Sequence, residues 1–463
     1  MRLHHRPPLP LAPDGTRVHH RLPLPLAPEG MRLHDRLPLP LAPDGTRVHH
    51  RPPLPLAPDG TRVHHRLPLP LAPEGTRPHD RLPLPLAGEG WGEGPAMLRL
   101  EPRPQASAAM SVLSPVLALA LTVVIGTVLF WALGKDPLRA LQVFFVEPLK
   151  TGYGLSELAL KATPLLLIAL GLSVCFRSNV WNIGAEGQFI MGAIAAGGVA
   201  MMAGKDTSRA IVLAVLAAGM LGGMAWAAIV ALLRDKANAN EILVSLMLVY
   251  VAEMVLSYLV YGPWKDPGGY NFPQTASFAE PTKIPRLFEG WRVNVGTPIA
   301  LAGVVAAWLY LFRHYAGYQL QVGGLAPAAA RYAGFSSRKA LWMALLGSGA
   351  WAGLAGALEA AGPLGQLTPH VPAGYGFAAI IVAFVGRLHP VGVVFASILM
   401  SLFYIGGELA QSRMGLPKSL TGVFQGLLLF TLLACDTLIA YRVRWRSAPR
   451  GQAAARVVAK ETA

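Results

Sequence analysis

From about Met110 onward the chain is a succession of apolar runs near 20 residues long, divided by short polar or Gly/Pro-bearing turns. A helix rises about 1.5 Å per residue, so a run of about 20 residues matches the roughly 30 Å hydrocarbon core of a bilayer. Repeated runs of that length predict an all-α, polytopic transmembrane helical bundle. Composition agrees, with 53% of residues hydrophobic and only 14% charged, where a soluble domain carries about 25% charged residues.

Spans are predicted near 111–133, 157–176, 181–203, 210–233 and 241–261, then near 297–313, 340–361, 374–387, 390–408 and 420–441. That makes ten. The eighth is short, because Gly386, His389 and Pro390 interrupt a longer apolar stretch, and without it there are nine. With ten spans both termini share a side, and the cluster Arg442, Arg444, Arg446 and Arg450 assigns that side to the cytoplasm by the positive-inside bias. Arg177, Arg234, Lys236, Arg313, Arg331, Arg338, Lys339 and Arg387 fall on the same side, whereas the opposite loops carry fewer, including Lys205, Arg209, Arg413 and Lys418. The expected location is therefore the cell (inner) membrane, multi-pass, with both termini cytoplasmic. The transmembrane domain covers 110–445, followed by a cytoplasmic tail at 446–463, and the Gly- and Pro-rich loop 262–296 is long enough to cap the outer face.

Residues 1–96 are of another kind. Arg6, Arg21, Arg36, Arg51, Arg66 and Arg81 mark a 15-residue repeat in which Leu and Pro alternate. Pro lacks an amide donor and restricts the residue before it, so the expected state is extended, polyproline-like and disordered. Ten of the thirteen histidines lie here, the composition of a metal-binding tract. Near-identical copies also fit a tandem DNA repeat read in frame, which would put the natural start at Met97 or Met110.

The net charge of +15 comes from residues scattered over short loops and the two ends, without the aromatic interleaving of a nucleic-acid surface. Nucleic acid is not an expected partner; membrane lipid is. Cys175 and Cys435 sit in apolar runs without metal-ligand spacing and read as packing residues. Glycines recur within spans, as at Gly192, Gly219, Gly223, Gly349 and Gly353. Lipid supplies no hydrophobic drive between helices, so small residues supply close backbone contact instead.

Against this apolar background, Asn179 to Gln188 (NVWNIGAEGQ) stands out. Polar groups at membrane depth are costly and face an interior or an aqueous path. Gly184 and Gly187 would loosen a helix, while Asn182, Glu186 and Gln188 offer the donors and acceptors that irregular backbone needs there. Two readings stand: a polar transport path, or a structural brace in which Arg177 and Glu186 pair at the cytoplasmic mouth. Asn240 and Glu241 open the fifth span, where a capping Asn and an acid suit a helix N-terminus. Glu253, with Tyr250, Ser257 and Tyr258, could form a polar stripe, and Glu359 is expected at the interface because its segment ends soon after.

There is no HExxH, GxSxG or Walker-type motif, and outside the repeats only His314, His370 and His389 remain. The chain reads as a non-enzyme, with no cofactor bound by the chain itself and no metal site. Between two spans, Val322 to Lys339 (VGGLAPAAARYAGFSSRK) places Pro327 at a helix start and Gly334 at its end, predicting a short surface helix.

NVWNIGAEGQ and GLAPAAARYAG, in that order, resemble the permease subunits of ABC importers of the branched-chain amino acid, ribose and nucleoside superfamily. ANEILVSLMLVYVA at 239–252, YGPWKDPGGYNFPQT at 261–275 and GYGFAAIIVAFVGRLHPVGVV at 374–394 narrow the resemblance to the longer of two paired permeases of nucleoside and simple-sugar uptake systems. It covers almost everything after Met110. The resemblance implies ATP-driven import by alternating access, with ATP used by partner subunits. It implies a cytoplasmic ATPase subunit, a second permease and an extracytoplasmic solute-binding lipoprotein as partners. It also implies that Pro327, Ala329, Arg331, Tyr332 and Gly334 couple the chain to the ATPase. The cargo it implies is a nucleoside, then a simple sugar, then a branched-chain amino acid; the rival class is an ion-driven secondary transporter.

Overall fold

Helix boundaries follow local chemistry closely. The computed structural model describes residues 97–102 and 108–446; the repeat region and the tail beyond Arg446 lie outside the described residues. After α1 (Ala108–Ala132) and the short α2 (Pro137–Leu141), which Asp136 caps, a π-helical turn leads to α3 (Gly152–Arg177). Thr151 starts α3 by accepting the Gly154 N–H at 3.0 Å. Next come α4 (Ala185–Met202), α5 (Ile211–Ala237) and α6 (Glu241–Tyr261). Asn238, in the left-handed region at φ 49°, ends α5, and the Asn240 side chain caps α6 at 2.9 Å from the Ile242 amide.

The second half holds α7 (Gly296–Phe312), α8 (Tyr315–Leu325), α9 (Pro327–Tyr332) and α10 (Ser337–Glu359). It continues with α11 (Tyr375–Val385), α12 (Pro390–Met414) and α13 (Leu420–Ala440). His389 caps α12 and Pro390 occupies its first turn, where a missing amide donor costs nothing. A two-stranded antiparallel ribbon, β1 (Met97–Pro102) with β2 (Tyr441–Arg446), is the one departure from an all-helical chain among the described residues. It brings the ends flanking α1 and α13 to the same face.

Among the described residues eight helices are long and apolar enough to cross a membrane, and the α7–α8 pair, bent by 66°, makes a ninth if the two count as one span. The predicted eighth span is where the structure differs most. Its helix, α11, has 11 residues and is about 16 Å long, half a bilayer core. The approach to it, 365–374, is non-helical. The third span is likewise shortened, because helix begins at Ala185 and 178–184 is irregular. The first carries Asn179, Asn182 and Gly184, the second Gly365, Pro369, Pro372 and Gly374, and neither supplies a continuous helical ladder.

α3 is the central helix, buried over most of its length and packed by α7, α10, α11 and α12. α4, α5 and α10 form a second tight group through a glycine seam. A Cβ on Gly353 would lie 2.1 Å from the Gly219 carbonyl oxygen, and one on Gly223 would lie 2.2 Å from that of Gly349. Any larger side chain would force the backbones apart. At the face opposite α9, the loop between α6 and α7 lies over the end of α10. The Phe278, Ile284 and Thr275 amides donate to Gly365, Ala361 and Leu367 at 2.8, 3.0 and 3.0 Å.

Candidate functional site

Glu186 lies in the first turn of α4 and is almost fully buried. Its carboxylate accepts the Gly374 N–H at 2.9 Å and also the Gly376 N–H. Those amides open α11, so the first turns of two helices converge on one side chain. The free amides and partial positive charge of a helix N-terminus favour an anion, and here the chain supplies its own. Gly376 permits this approach: a Cβ there would stand 2.2 Å from the Glu186 nitrogen.

Arg177 holds the other end of the same short helix. Its Nε donates to the Leu388 carbonyl at 2.8 Å, just past α11, and its Nη1 donates to Gln321 Oε1 of α8 at 2.9 Å. The guanidinium also stands 5.2 Å from the centre of the Phe312 ring. The expected Arg177–Glu186 ion pair does not form. About half a bilayer separates the two ends of α11, and each residue is consumed at its own end. Each is hydrogen-bonded to one end of α11.

The remaining polar residues of the motif are likewise turned inward. Asn182 and Gln188 exchange amide hydrogen bonds of 2.9 and 3.1 Å, and Asn182 Nδ2 also donates to Ser348 Oγ at 3.0 Å. Ser348 is midway along α10, so the irregular stretch lies inside the bundle, deeper than a position at the inner mouth. Asn240 is a helix cap, and Glu241 pairs with Arg234 at 3.2 Å. Glu253 and Ser257 are half-buried while Tyr250 and Tyr258 are exposed, and no hydrogen bond among the described residues links the four into a stripe.

Past α7, His314 Nδ1 accepts the Ala316 amide and α8 turns away, carrying the chain into α9. Pro327 sits in the first turn of α9; Ala329, Arg331 and Tyr332 are exposed on it, Tyr332 at 97%. Gly334, at φ 78°, ends the helix in the left-handed conformation that glycine adopts without strain. Ala330 alone on α9 is buried, and the Phe335 amide returns to its carbonyl at 2.9 Å. The turn is mounted on the bundle through Gln321 and through Gly324, where a Cβ would meet the Arg177 carbonyl oxygen at 2.4 Å.

A second polar group lies toward the opposite face. Lys161 of α3 stands 3.4 Å from Glu408 of α12 and 5.8 Å from the centre of the Tyr375 ring. The Tyr375 and Tyr404 rings are 5.4 Å apart, and Tyr404 Oη donates to the Ala373 carbonyl at 3.1 Å. Glu359 is half-buried at the end of α10, within electrostatic reach of Lys161, Arg292 and Tyr375. Arg292 reaches Glu157 at 3.1 Å. The Tyr153 hydroxyl beside Arg292 holds its guanidinium pKa above the usual value, burial working against it and Glu157 in support. Lys161, Tyr404 and Glu408 belong to no motif, and Tyr375, within the 374–394 stretch, was given no role. The available signal was two charged residues within apolar spans, Lys161 and Glu408, each marking an interior or aqueous surface.

The profile of the family described as branched-chain amino acid transport system / permease component matches residues 154–433. The chain is 35% identical over 356 residues to the glucose ABC transporter permease protein TsgB13 of Haloferax volcanii, covering 75% of this chain and 93% of that protein. It is 30% identical to the guanosine ABC transporter permease protein NupP of Bacillus subtilis, over 58% of this chain and 78% of that one. With the nucleoside ABC transporter permease protein NupB of Lactococcus lactis it shares 24% identity over 69% and 90% of the two chains. No solved structure matches it.

Proposed function

The chain belongs to the family of branched-chain amino acid transport system permease components, and from that premise we propose that it forms the translocation path of an ATP-driven importer of a nucleoside or simple sugar. The relatives named for glucose, guanosine and nucleosides support this cargo over a branched-chain amino acid. ATP is hydrolysed by partner subunits. The remaining partners are a second permease and an extracytoplasmic solute-binding lipoprotein, with the α9 face of this chain in the cytoplasm.

The observation that carries the coupling assignment is the exposed α9 turn. Arg331 and Tyr332 project from it, and its mounting on Arg177 connects it to α11. Docking of an ATPase on α9 would therefore bear on a short helix inside the bundle. Alternating access requires the ATP-bound and ATP-free ATPase to stabilise two arrangements unequally, and an exposed lever joined to a buried half-helix meets that requirement.

The test is a variant combining Arg331→Glu with Gly334→Pro. Proline cannot adopt φ 78°, and the charge reversal alters the docking surface. In proteoliposomes with all partners, ATP hydrolysis is expected to continue while solute uptake falls at least about tenfold. Normal uptake per ATP would overturn the assignment. Uptake by this chain alone under an ion gradient, without ATPase, would establish a secondary transporter instead.

A further inference from the structure

A charged side chain on a membrane-spanning helix is costly against hydrocarbon. Glu408 lies in α12 with its side chain 57% exposed, and Lys161 beside it is also partly exposed. That surface must therefore meet water, solute or another subunit. Beneath it the Tyr375 side chain is fully buried, and its hydroxyl lies beside Glu359 yet completes no hydrogen bond of normal geometry. A buried hydroxyl left unsatisfied costs free energy unless a missing partner arrives.

We propose that Lys161, Glu359, Tyr375, Tyr404 and Glu408 form a subsite for a neutral, hydroxyl-rich solute, such as a hexose or the ribose of a nucleoside, on its way through the bundle. This rests on the reading of the chain as a permease for that class. The chemistry is matched: carboxylates accept from solute hydroxyls, Lys161 donates to them, the partly exposed Tyr404 ring offers a face to the C–H side of a sugar ring or to a base, and the buried Tyr375 hydroxyl lies beneath. The floor is α11 itself. Tyr375 lies between Gly374 and Gly376, the two residues whose amides grip Glu186, so the subsite and the helix held at its far end by Arg177 are one rigid piece. A crevice of about 1240 Å³ between the end of α4 and the α6–α7 loop is a weaker candidate. Its Lys265 and Lys283 already donate to Asn271 and Glu280.

Tyr375→Phe separates a binding role from a structural one, because the hydroxyl it removes completes no hydrogen bond of normal geometry and the ring keeps its packing. The complete importer, reconstituted with wild-type or variant chain, is assayed for ATP-dependent uptake of radiolabelled guanosine and glucose. Melting of each assembly is measured alongside. The expected result is unchanged melting with solute delivered per ATP reduced about tenfold, the factor of one ordinary hydrogen bond, and a comparable loss for Glu359→Gln. Wild-type delivery by Tyr375→Phe would overturn the subsite. So would loss of subunit assembly in both variants, which would make the cluster a seat for the second permease. Absence of ATP-dependent uptake of either solute by the wild-type assembly would instead overturn the parent reading of the cargo.

Discussion

The carboxylate of Glu186 accepts the backbone N–H of Gly376 across 190 positions of sequence, and in doing so joins the first turn of α4 to the first turn of α11. Replacing that acceptor strands two amides, the part-buried one of Gly374 and the buried one of Gly376. Each stranded group costs about 1–3 kcal/mol. Glu186→Ala is expected to lower stability by about 2–6 kcal/mol, read as a marked fall in detergent melting temperature, and Glu186→Gln by less, since one carbonyl oxygen remains. An alanine variant that melts with the wild type would remove the cap role.

Gly376→Ala tests the same junction by crowding. The new Cβ would stand 2.2 Å from the Glu186 nitrogen and 2.5 Å from its Cα, and both are backbone atoms that cannot swing away. Overpacking of this kind costs roughly 1–3 kcal/mol or more. Gly422→Ala, where nothing lies within 4 Å, is the control. Destabilisation is expected for the first variant alone; equal melting of the two would show that the junction has slack.

Arg177→Ala should loosen the far end of α11 without unfolding the bundle. The Leu388 amide, which donates to Ala383 at 2.8 Å, is the reporter. Loss of the bond from Arg177 to the Leu388 carbonyl is worth about 1–1.5 kcal/mol, so hydrogen exchange in 385–389 should quicken about five- to tenfold. Arg177→Lys should be nearly as severe, because one ammonium does not reproduce the fork between Leu388 and Gln321. Unchanged exchange in both would detach Arg177 from α11.

Arg387 closes a bidentate pair with Asp436 at 2.7 and 2.9 Å and also donates to Ser114, tying the α11–α12 turn to α13 and α1. Both side chains are about a third exposed, which limits the gain, so a double-mutant cycle with Arg387→Ala and Asp436→Ala should return about 1 kcal/mol of coupling. A coupling energy near zero would mean that solvent screens the pair completely.

Much of this was legible along the chain. α1, α3, α5, α6, α10, α12 and α13 follow from apolar runs, and α9 from Pro327 and Gly334, because length, hydropathy and turn chemistry are local properties. The shortening of the third and eighth spans was only half legible. Gly184 and Gly187 announced a loosened helix, and Gly386, His389 and Pro390 an interruption, but an apolar stretch reads the same whether its backbone is wound or irregular. Glu359 was placed at an interface, and its proximity to Lys161 and Tyr375 appeared only once α3, α10 and α11 were packed together.

Sequence alone therefore determined the membrane class, the number and order of the apolar segments, and the polar residues that cannot face lipid. Tertiary structure decided which partners those residues take. A carboxylate or guanidinium in a span must find a partner, yet its choice depends on which helix ends are brought within about 3 Å. For Glu186 and Arg177 those ends belong to α11, roughly 190 and 210 positions away, and not to each other.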